Sequence, residues 1–440
     1  MSKNHTLREF SKYVSLNVLG MIGLSCYILA DTFFVSNALG ANGLAALNFS
    51  ISIYSIIHGV GLMLGIGGAT RYSILKSTGK DKEANEVFTH AVIKGVFFGI
   101  IFVLIGILFT GHLALLLGAD QVTLPLTKTY LTTIFCFSPF FILNNTLLAF
   151  VRNDHQPKLA MTAMIFGSLS NIVLDYIFIF PLSMGMFGAA FATGLAPIIS
   201  VGVLSIHFIQ HKNQFKLIHC RLRLRRMVDI LSLGLSSFIT EVSSGIVLIV
   251  FNLAILKLEG NVGVAAYGII ANLALVVIAI FTGIAQGIQP LISKAYGRNN
   301  IDQIKQVKRY AVIASSVISI VVYIVAIINM DVIVSAFNNE KNQILAHLAK
   351  QGIWIYFIGF IFAGINIVSA AFLSATEKAA KAFLISILRG CILIIPFVLI
   401  LSSIWEMNGI WLSFVCTEAV VSAFVILSQR SKKEQEIQAE

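Results

Sequence analysis

Ionisable side chains that interrupt long apolar stretches are the residues of this 440-residue chain most suited to chemistry. Five stand out within otherwise apolar segments: Asp31, Asp175, Glu241, Arg389 and Glu418. A charge deep in a membrane-like segment costs several kcal/mol, so each of the five needs a functional or structural reason. The two aspartates are the strongest candidates, because two further polar residues accompany them.

Asp31, Asn171, Asp175 and Thr193 form one candidate cation site. Asn171 precedes Asp175 by four residues, so the two side chains share a helix face. Two carboxylates that meet where the dielectric constant is low cannot both stay ionised without a cation, and either a proton or a sodium ion can serve. The amide of Asn171 and the hydroxyl of Thr193 would complete an oxygen shell for a hard cation. The alternative is that Asp175 merely bonds Asn171 or a backbone group near a bent helix.

The expected depths of these residues agree with one another. Asp31 lies nine residues before a turn at Gly40, and Asp175 lies six residues before Pro181. At about 1.5 Å of rise per residue, both carboxylates are expected roughly 9–13 Å below the outer surface, with Thr193 at a similar depth. This shared level favours a single site over scattered polar residues.

The remaining intramembrane polar residues leave two interpretations open. Glu241, flanked by serines and a threonine, could contact a cationic substrate or a second ion, or it could be protonated and bonded to a hydroxyl. Asn144 and Asn145 could line a polar path or could join helices. Arg389 and Glu418 are expected to pair across adjacent helices. The histidines are spread out, and the sequence shows no pairing for them.

Membrane helices are the elements that must position these residues. Apolar residues make up 57% of the chain and charged residues 12%, whereas about a quarter of a typical soluble domain is charged. A spanning helix needs about 20 apolar residues. Twelve stretches qualify, so we predict an all-α integral membrane protein with spans near 14–38, 47–70, 88–110, 125–151, 158–181, 185–209, 229–256, 262–290, 309–330, 347–374, 382–404 and 408–428.

The chain repeats itself after about 220 residues. The segment 40–46 is echoed by 260–266, and 73–87, with Gly79 in its turn, is echoed by 293–307, with Gly297. Many transporters form their substrate path at the interface between two such matching helix bundles. We therefore expect two pseudo-symmetric six-helix lobes, with these domains: residues 1–212, a basic linker at 213–228, and residues 229–440.

The repeat also shows that the acidic site is not duplicated. With the same offsets, Asp31 matches Phe251, Asp175 matches Pro396 or Phe397, and Thr193 matches Phe414. Whatever the acidic pair does, we expect one lobe alone to do it.

The basic residues predict the orientation. Most of the 31 Lys and Arg residues lie in alternate connections and in both tails, so the positive-inside rule places this face and both termini in the cytoplasm. The net charge of +11 then reflects topology in a cytoplasmic membrane. It does not indicate nucleic-acid binding, since no basic stretch carries interleaved aromatic residues. The linker could lie along anionic lipid headgroups.

Several classes of function lack a signal. The chain has no G-x-x-x-x-G-K-[ST] loop, no H-E-x-x-H and no G-x-S-x-G, so neither an ATPase nor an enzyme of these types is expected. The five cysteines are scattered and show no metal spacing or disulfide framework. No cofactor is expected beyond a coupling ion, Na⁺ or H⁺. The N-terminal apolar run reads as the first span.

Four segments together resemble the multidrug and toxic compound extrusion (MATE) family, especially its bacterial MepA-like branch. They are the runs 30–35, 67–71, 171–180 and 187–193. The resemblance implies twelve helices in two lobes and export of organic cations driven by inward sodium or proton flow. It also implies a cation site in the first lobe at Asp31, Asn171, Asp175 and Thr193, and places Asn144 and Asn145 facing the cavity of that lobe.

The chain departs from family patterns at two places. Members with a sodium site in the second lobe pair a glutamate of span seven, here Glu241, with an aspartate of span ten, but span ten has no carboxylate before Glu377. A first-helix proline, linked in some relatives to proton-driven bending, is missing between Leu16 and Asp31. The first departure argues against a second ion site, and the second weakly favours sodium.

The sequence as a whole predicts a cation-coupled antiporter that works as a monomer and exports lipophilic organic cations. The alternative on the same fold is a flippase for a lipid-linked precursor. A polyanionic diphosphate substrate would require arginines in the cavity, whereas this chain has buried acids. From other classes, a channel or a membrane-bound enzyme remains an alternative, although no paired acid–base motif supports the enzyme.

Overall fold

The structure is a computed structural model that describes residues 3–221, 223–338 and 342–437. Every regular element in those ranges is a helix. Their bounds are α1 Lys3–Ser77, α2 Asp81–Leu116, α3 Leu124–Asn153, α4 Pro157–Ile179, α5 Gly185–Leu204, α6 Ile206–Ile209, α7 Leu224–Gly297, α8 Ile301–Ile328, α9 Met330–Phe337, α10 Gln343–Tyr356, α11 Gly359–Ala375, α12 Ala379–Ile387, a π-helical turn Leu388–Ile392, and α13 Ile394–Ile437.

Twelve segments of the described chain can cross a membrane, as the sequence predicts. Eight helices are long and apolar enough, and the pair α10–α11, bent by 49°, makes a ninth. Non-helical backbone divides three of these in two: α1 at Gly40, α7 at Gly260 and α13 at Trp405–Glu406. We call the two parts of α1 α1a (3–39) and α1b (41–77), and those of α7 α7a (224–259) and α7b (261–297).

The two breaks at glycine confirm the repeat. Gly40 has φ 62° and ψ −155°, and Gly260 has φ 60° and ψ −152°. Glycine reaches this positive-φ region at little cost because it lacks a Cβ. The matching turns after α1 and α7 differ from expectation in one respect. Gly79 has a positive φ, but its counterpart in the second half is Asn299, whereas Gly297 is the last residue of α7.

Each half of the chain has its own apolar core. The first core runs from Val35 to Ile230, and the second from Phe251 to Phe414. We therefore call α1–α5 the first lobe and α7–α13 the second lobe. The start of α1a is an exception, because Phe10 and Tyr13 pack into the second core. The domain limits 1–212 and 229–440 stay a prediction.

The lobes cross closely at one end. We call this the basic end; it carries the turns at 78–80, 154–156, 298–300 and 376–378, and the opposite end, with Gly40 and Gly260, is the glycine end. A Cβ at Gly67 would overlap the backbone of Ile230, and one at Gly283 would overlap Val18. Both pairs join the two lobes. Small residues at such crossings let helix backbones approach closely.

Buried polar bonds connect the lobes at the same end. Arg152 of α3 donates to Gln286 Oε1 of α7b at 2.6 Å. Gln289 donates to Thr70 Oγ1 at 2.9 Å and accepts from Asn153 Nδ2 at 2.8 Å. All five side chains are buried. Buried polar groups are costly when unpaired, so opening the basic end would require new partners for all of them.

The predicted basic linker is docked and partly helical. Its last residues, 224–228, form the first turn of α7, and Leu222 lies outside the described residues. Phe215 is fully buried among aromatic side chains of the first lobe. The backbone N–H groups of the segment donate to four side chains of that lobe: Gln214 to Asp154, Lys216 to Asn85, Ile218 to Thr89 and Arg223 to His90.

Candidate functional site

Three helices of the first lobe carry the predicted cation site. Asp31 lies on α1a, Asn171 and Asp175 lie on α4, and Thr193 lies on α5, and all four are buried. Gly167 lets α4 approach α5 closely, since a Cβ there would lie 3.1 Å from the Ala196 carbonyl oxygen. The apolar faces of these helices meet inside the first lobe, so their few polar side chains are brought together away from water.

Asn171 is the centre of the cluster. In the amide orientation that satisfies both neighbours, its Nδ2 donates to Asp175 Oδ2 at 3.0 Å and its Oδ1 accepts from the backbone N–H of Thr193 at 3.2 Å. The side chains of Asn171 and Thr193 lie 3.4 Å apart. Asp31 is close enough to Asp175 for the two carboxylates to interact electrostatically. The structure therefore brings all four predicted residues into one neighbourhood.

Two carboxylate oxygens at this site have no partner. Asp31 Oδ1 and Asp175 Oδ1 are buried and accept no hydrogen bond from any described residue. Buried polar atoms are normally satisfied, so unsatisfied ones require an explanation such as a missing proton, ion or water. The donor set of carboxylates, amide and hydroxyl fits a hard cation such as Na⁺, or a proton shared between carboxylates.

Tyr130 belongs to this neighbourhood and was missed by the sequence reasoning. It is a buried residue of α3, the helix that packs against α5, and it lies near Asp31, Asp175 and Thr193. It is one of eleven tyrosines in the chain, and nothing in its local sequence distinguishes it. Only the packing of α3 against α5 places it here.

Glu241 lies on α7a and faces the first lobe. Its Oε1 is 3.1 Å from Nδ1 of His58 on α1b, and its side chain is 31% exposed. No pairing of any histidine is predicted from the sequence, and this contact corrects that expectation. The two residues are far apart in the chain and on different lobes, so no local pattern could have shown the pair.

The asparagines of α3 differ from each other. Asn145 packs against Gly61 of α1b, and its Nδ2 donates to the Phe141 carbonyl of its own helix at 3.1 Å. Asn144 is half-buried, and its Oδ1 has no hydrogen-bond partner among the described residues. No described residue donates to the side-chain oxygen of either asparagine, and that of Asn144 is shielded from solvent.

The predicted pairing of Arg389 and Glu418 is confirmed. The guanidinium donates to Glu418 Oε1 through Nη2 at 2.6 Å and through Nε at 3.0 Å. Asn366 donates to the other carboxylate oxygen, Oε2, at 2.7 Å. Arg389 lies in the π-helical turn, and such turns are a local widening of the helix that re-aims side chains. Both oxygens of this buried carboxylate are thus satisfied by the protein itself.

Within the described residues, no group of three or more His, Cys, Asp or Glu side chains could hold a metal ion. The candidate cation site in the first lobe has two carboxylates, so its remaining ligands must come from amide, hydroxyl or backbone groups. All five cysteines are free thiols.

Comparison with known proteins shows similarity along most of the chain. A family model described as MatE matches residues 18–177 and 236–400. The multidrug export protein MepA of Staphylococcus haemolyticus is 26% identical over 421 residues, which cover 94% of this chain and 92% of that protein. MepA of Staphylococcus saprophyticus is 25% identical over 417 residues, covering 93% and 90%.

Solved structures have the same fold. A crystal structure of MATE in complex with MaL6 matches with a TM-score of 0.91 at 21% identity, covering 97% of this chain and 96% of that one. An outward-facing conformation of a multidrug resistance MATE family transporter of the MOP superfamily matches with a TM-score of 0.90 at 21% identity, covering 96% and 95%.

Proposed function

This chain belongs to the MatE family, and on that premise we propose that it exports lipophilic organic cations across the cytoplasmic membrane in exchange for Na⁺ or H⁺. The observation that carries the proposal is the pair of buried, partnerless carboxylate oxygens on Asp31 and Asp175. A protein keeps such oxygens away from water only if something neutralises them for part of its cycle. An exchangeable cation can do so.

The coupling ion would be held by Asp31 and Asp175, with oxygens of Asn171 and Thr193 completing its shell. Its arrival removes the repulsion between the carboxylates, and its departure restores that repulsion. The helices that carry these residues therefore prefer different packing in the two states. A ligand shifts a conformational equilibrium only through such a difference in affinity, and this difference would drive alternating access.

The tight crossing of the lobes at the basic end supports an outward-open state. Gly67 against Ile230 and Gly283 against Val18 close that end. If the basic end is cytoplasmic, as the positive-inside rule indicates, the cavity between the lobes opens to the outside. Both termini would then lie in the cytoplasm. We expect the protein to work as a monomer, because each chain holds both lobes.

Substrate preference would follow from one partly exposed carboxylate and many aromatic side chains. Glu241 supplies negative charge at the lobe interface, and Asn144 and Asn145 would offer amide groups to the substrate. Aromatic faces attract organic cations without demanding a fixed shape. A lipid-linked diphosphate is not favoured, since Arg389, an arginine within an apolar span of the second lobe, is already bound to Glu418.

Uptake of ethidium into inside-out proteoliposomes tests the proposal. A sodium gradient and a proton gradient are imposed separately on the wild type and on Asp175→Asn. We expect one gradient to drive ethidium movement and the substitution to abolish it. Asp302→Asn is the matched control, because it makes the same change on an exposed carboxylate of α8. If neither gradient moves ethidium or another lipophilic cation, the proposed function is wrong.

A further inference from the structure

One titratable contact joins the two lobes at mid-membrane. His58 Nδ1 lies 3.1 Å from Glu241 Oε1, and the two side chains are only 12% and 31% exposed. The ring nitrogen makes no aligned hydrogen bond, and the contact becomes an ion pair when the ring is protonated. A half-buried carboxylate needs a counter-charge, and histidine supplies one only when it is protonated.

The contact lies where α7a packs against α1b less tightly toward the glycine end. Toward the basic end, Gly59 lets α7a pack closely, with Phe238 at 3.0 Å and Glu241 Cβ at 3.5 Å from the position of a Cβ on that glycine. Toward the glycine end, the nearest atom to a Cβ on Gly245 is 3.9 Å away, on Ser52, which is ordinary van der Waals contact. The side chain of Glu241 is nevertheless 31% exposed, and this exposed part is what a cationic substrate would contact.

A line of aromatic side chains connects this contact to the cation site. The His58 ring stacks on Tyr54, with centroids 5.6 Å apart and planes 14° apart. The Tyr54 hydroxyl lies 3.0 Å from the Tyr27 hydroxyl. Tyr27 and Tyr54 are both within electrostatic range of Asp31, and Tyr54 is also within range of Glu241.

The titratable groups around His58 are few. They are Glu241 from α7a, Tyr54 from its own helix, and Tyr27 and Asp31 from α1a. Arg389, in the π-helical turn packed against α7, is bound to Glu418. Among the charged groups that the structure describes here, His58 is thus the cation placed to neutralise Glu241.

We propose that protonated His58 is the internal counter-ion of Glu241 and that a cationic substrate must displace it. This inference rests on the proposed function. It adds how Glu241, the carboxylate that binds the substrate, is neutralised when no substrate is bound. The cationic substrate and protonated His58 then compete for Glu241. Substrate and proton are therefore in competition, although the substrate binds Glu241 and the proton binds His58. Acidification would release the substrate through His58 even if the coupling ion is Na⁺ bound at Asp31 and Asp175. His58 is a positioning residue in this scheme, since Glu241 contacts the substrate.

Binding of tetraphenylphosphonium to the purified full chain tests this inference. The probe is permanently charged, so any pH dependence of its affinity comes from the protein. We expect isothermal titration calorimetry to give about tenfold weaker binding at pH 5.5 than at pH 8.0, because protons compete with the probe for Glu241 through His58. His58→Asn should keep the affinity at pH 8.0 and lose most of the tenfold effect. Glu241→Gln should bind about tenfold more weakly at pH 8.0.

Further variants make the result unambiguous. His112→Asn changes an exposed histidine of α2 and should behave as the wild type. Repeating the comparison in Asp175→Asn removes the contribution of the acidic pair, and His58→Gln serves if His58→Asn does not fold. If the His58 variants keep the wild-type pH profile, the inference is wrong while the proposed function stands. If the wild type binds no tetraphenylphosphonium at any pH, the proposed substrate class fails and the inference with it.

Discussion

Asp31 and Thr193 of the first lobe have counterparts in the second lobe at Phe251 and Phe414, about 220 residues further along the chain. Asp31 and Thr193 lie in a buried polar site in which the Oδ1 atoms of Asp31 and Asp175 accept no hydrogen bond from a described residue. Their counterparts both pack against Tyr356, which stacks on Phe414 with centroids 4.2 Å apart and meets Phe251 edge-on at 6.1 Å. The same architecture thus encloses a polar site in one lobe and an aromatic cluster in the other.

The second lobe does contain a buried acid, but it neutralises that acid itself. Glu418 is bound by Arg389 and Asn366, so it needs nothing from solution. Asp31 and Asp175 have no basic side chain among their described partners. A buried carboxylate can therefore be neutralised either by a basic side chain of the protein or by an exchangeable cation from solution. The presence of a basic side chain such as Arg389 distinguishes the first case from the second. Four predictions test this difference between the lobes.

Removing the positive charge of Arg389 should have the largest effect on the stability of the protein. Arg389→Met leaves Glu418 buried without a counter-charge, and breaking a buried pair in this way costs about 3–5 kcal/mol. The double variant Arg389→Met with Glu418→Met should recover most of that loss, because no charge remains. Thermal unfolding in detergent measures both. Asp175→Asn, which removes a carboxylate with no resident cation, should not lower the melting temperature; a loss as large as that of Arg389→Met would erase the contrast between lobes.

Adding the coupling ion should stabilise the protein through the first lobe only. An ion at 100 times its dissociation constant stabilises by about 2.7 kcal/mol if it binds only the folded state. Melting temperatures in NaCl and in choline chloride at equal ionic strength, and across pH, show which ion binds. Asp31→Asn or Asp175→Asn should abolish the effect. The paired Arg389→Met, Glu418→Met variant should retain it, and its loss there would place the ion in the second lobe.

Loosening the bonds between the lobes should change which end is open. Gln289→Ala removes the inter-lobe hydrogen bonds of Thr70 and Asn153, which costs the closed basic end about 1–3 kcal/mol. The rate at which a maleimide labels Val14→Cys, buried where α1a packs on Gly287, should rise accordingly in a background without native cysteines. Gln351→Ala, a glutamine on the outside of the second lobe, is the control. An unchanged labelling rate would show that apolar packing alone holds this end shut.

Local and repeating features of this molecule could be predicted from its sequence. Gly40 and Gly260 break their helices at matching positions, and both take a positive φ, which glycine adopts at little cost. Arg389 and Glu418 pair because each lies on an apolar helix, where an unpaired charge is energetically costly. The four residues predicted for the cation site lie in one lobe, and Asn171 contacts both Asp175 and Thr193; their depth in the membrane stays a prediction. The role of that site and of Glu241 stays a prediction.

Contacts that depend on how separate helices pack could not be predicted. Tyr130 joins the cation site through the angle between α3 and α5. His58 meets Glu241 only because the two lobes cross, and no periodicity in either segment encodes that crossing. The sequence predicts only a basic linker that could lie along lipid headgroups, whereas Phe215 anchors this segment in the first lobe. Phe215 is one of several apolar residues at 213–228, and nothing in the local sequence marks it as the buried one.

The smallest predicted effect is the loss of ion affinity on removal of the Thr193 hydroxyl. Thr193→Val keeps the shape of the side chain but removes its oxygen from the cation site, so ion affinity should fall about three- to tenfold, as for the loss of one buried hydrogen-bonding group. Thr193→Ser should keep most of the affinity. Thr417→Val is the matched control in the second lobe, because the Thr417 hydroxyl donates to the Ser413 carbonyl of its own helix at 2.7 Å and faces no ion. Ion-dependent shifts of the melting temperature measure all three. If Thr193→Val and Thr417→Val behave alike, Thr193 serves only the packing of α5, and the ion shell must be completed by Asn171 and Tyr130.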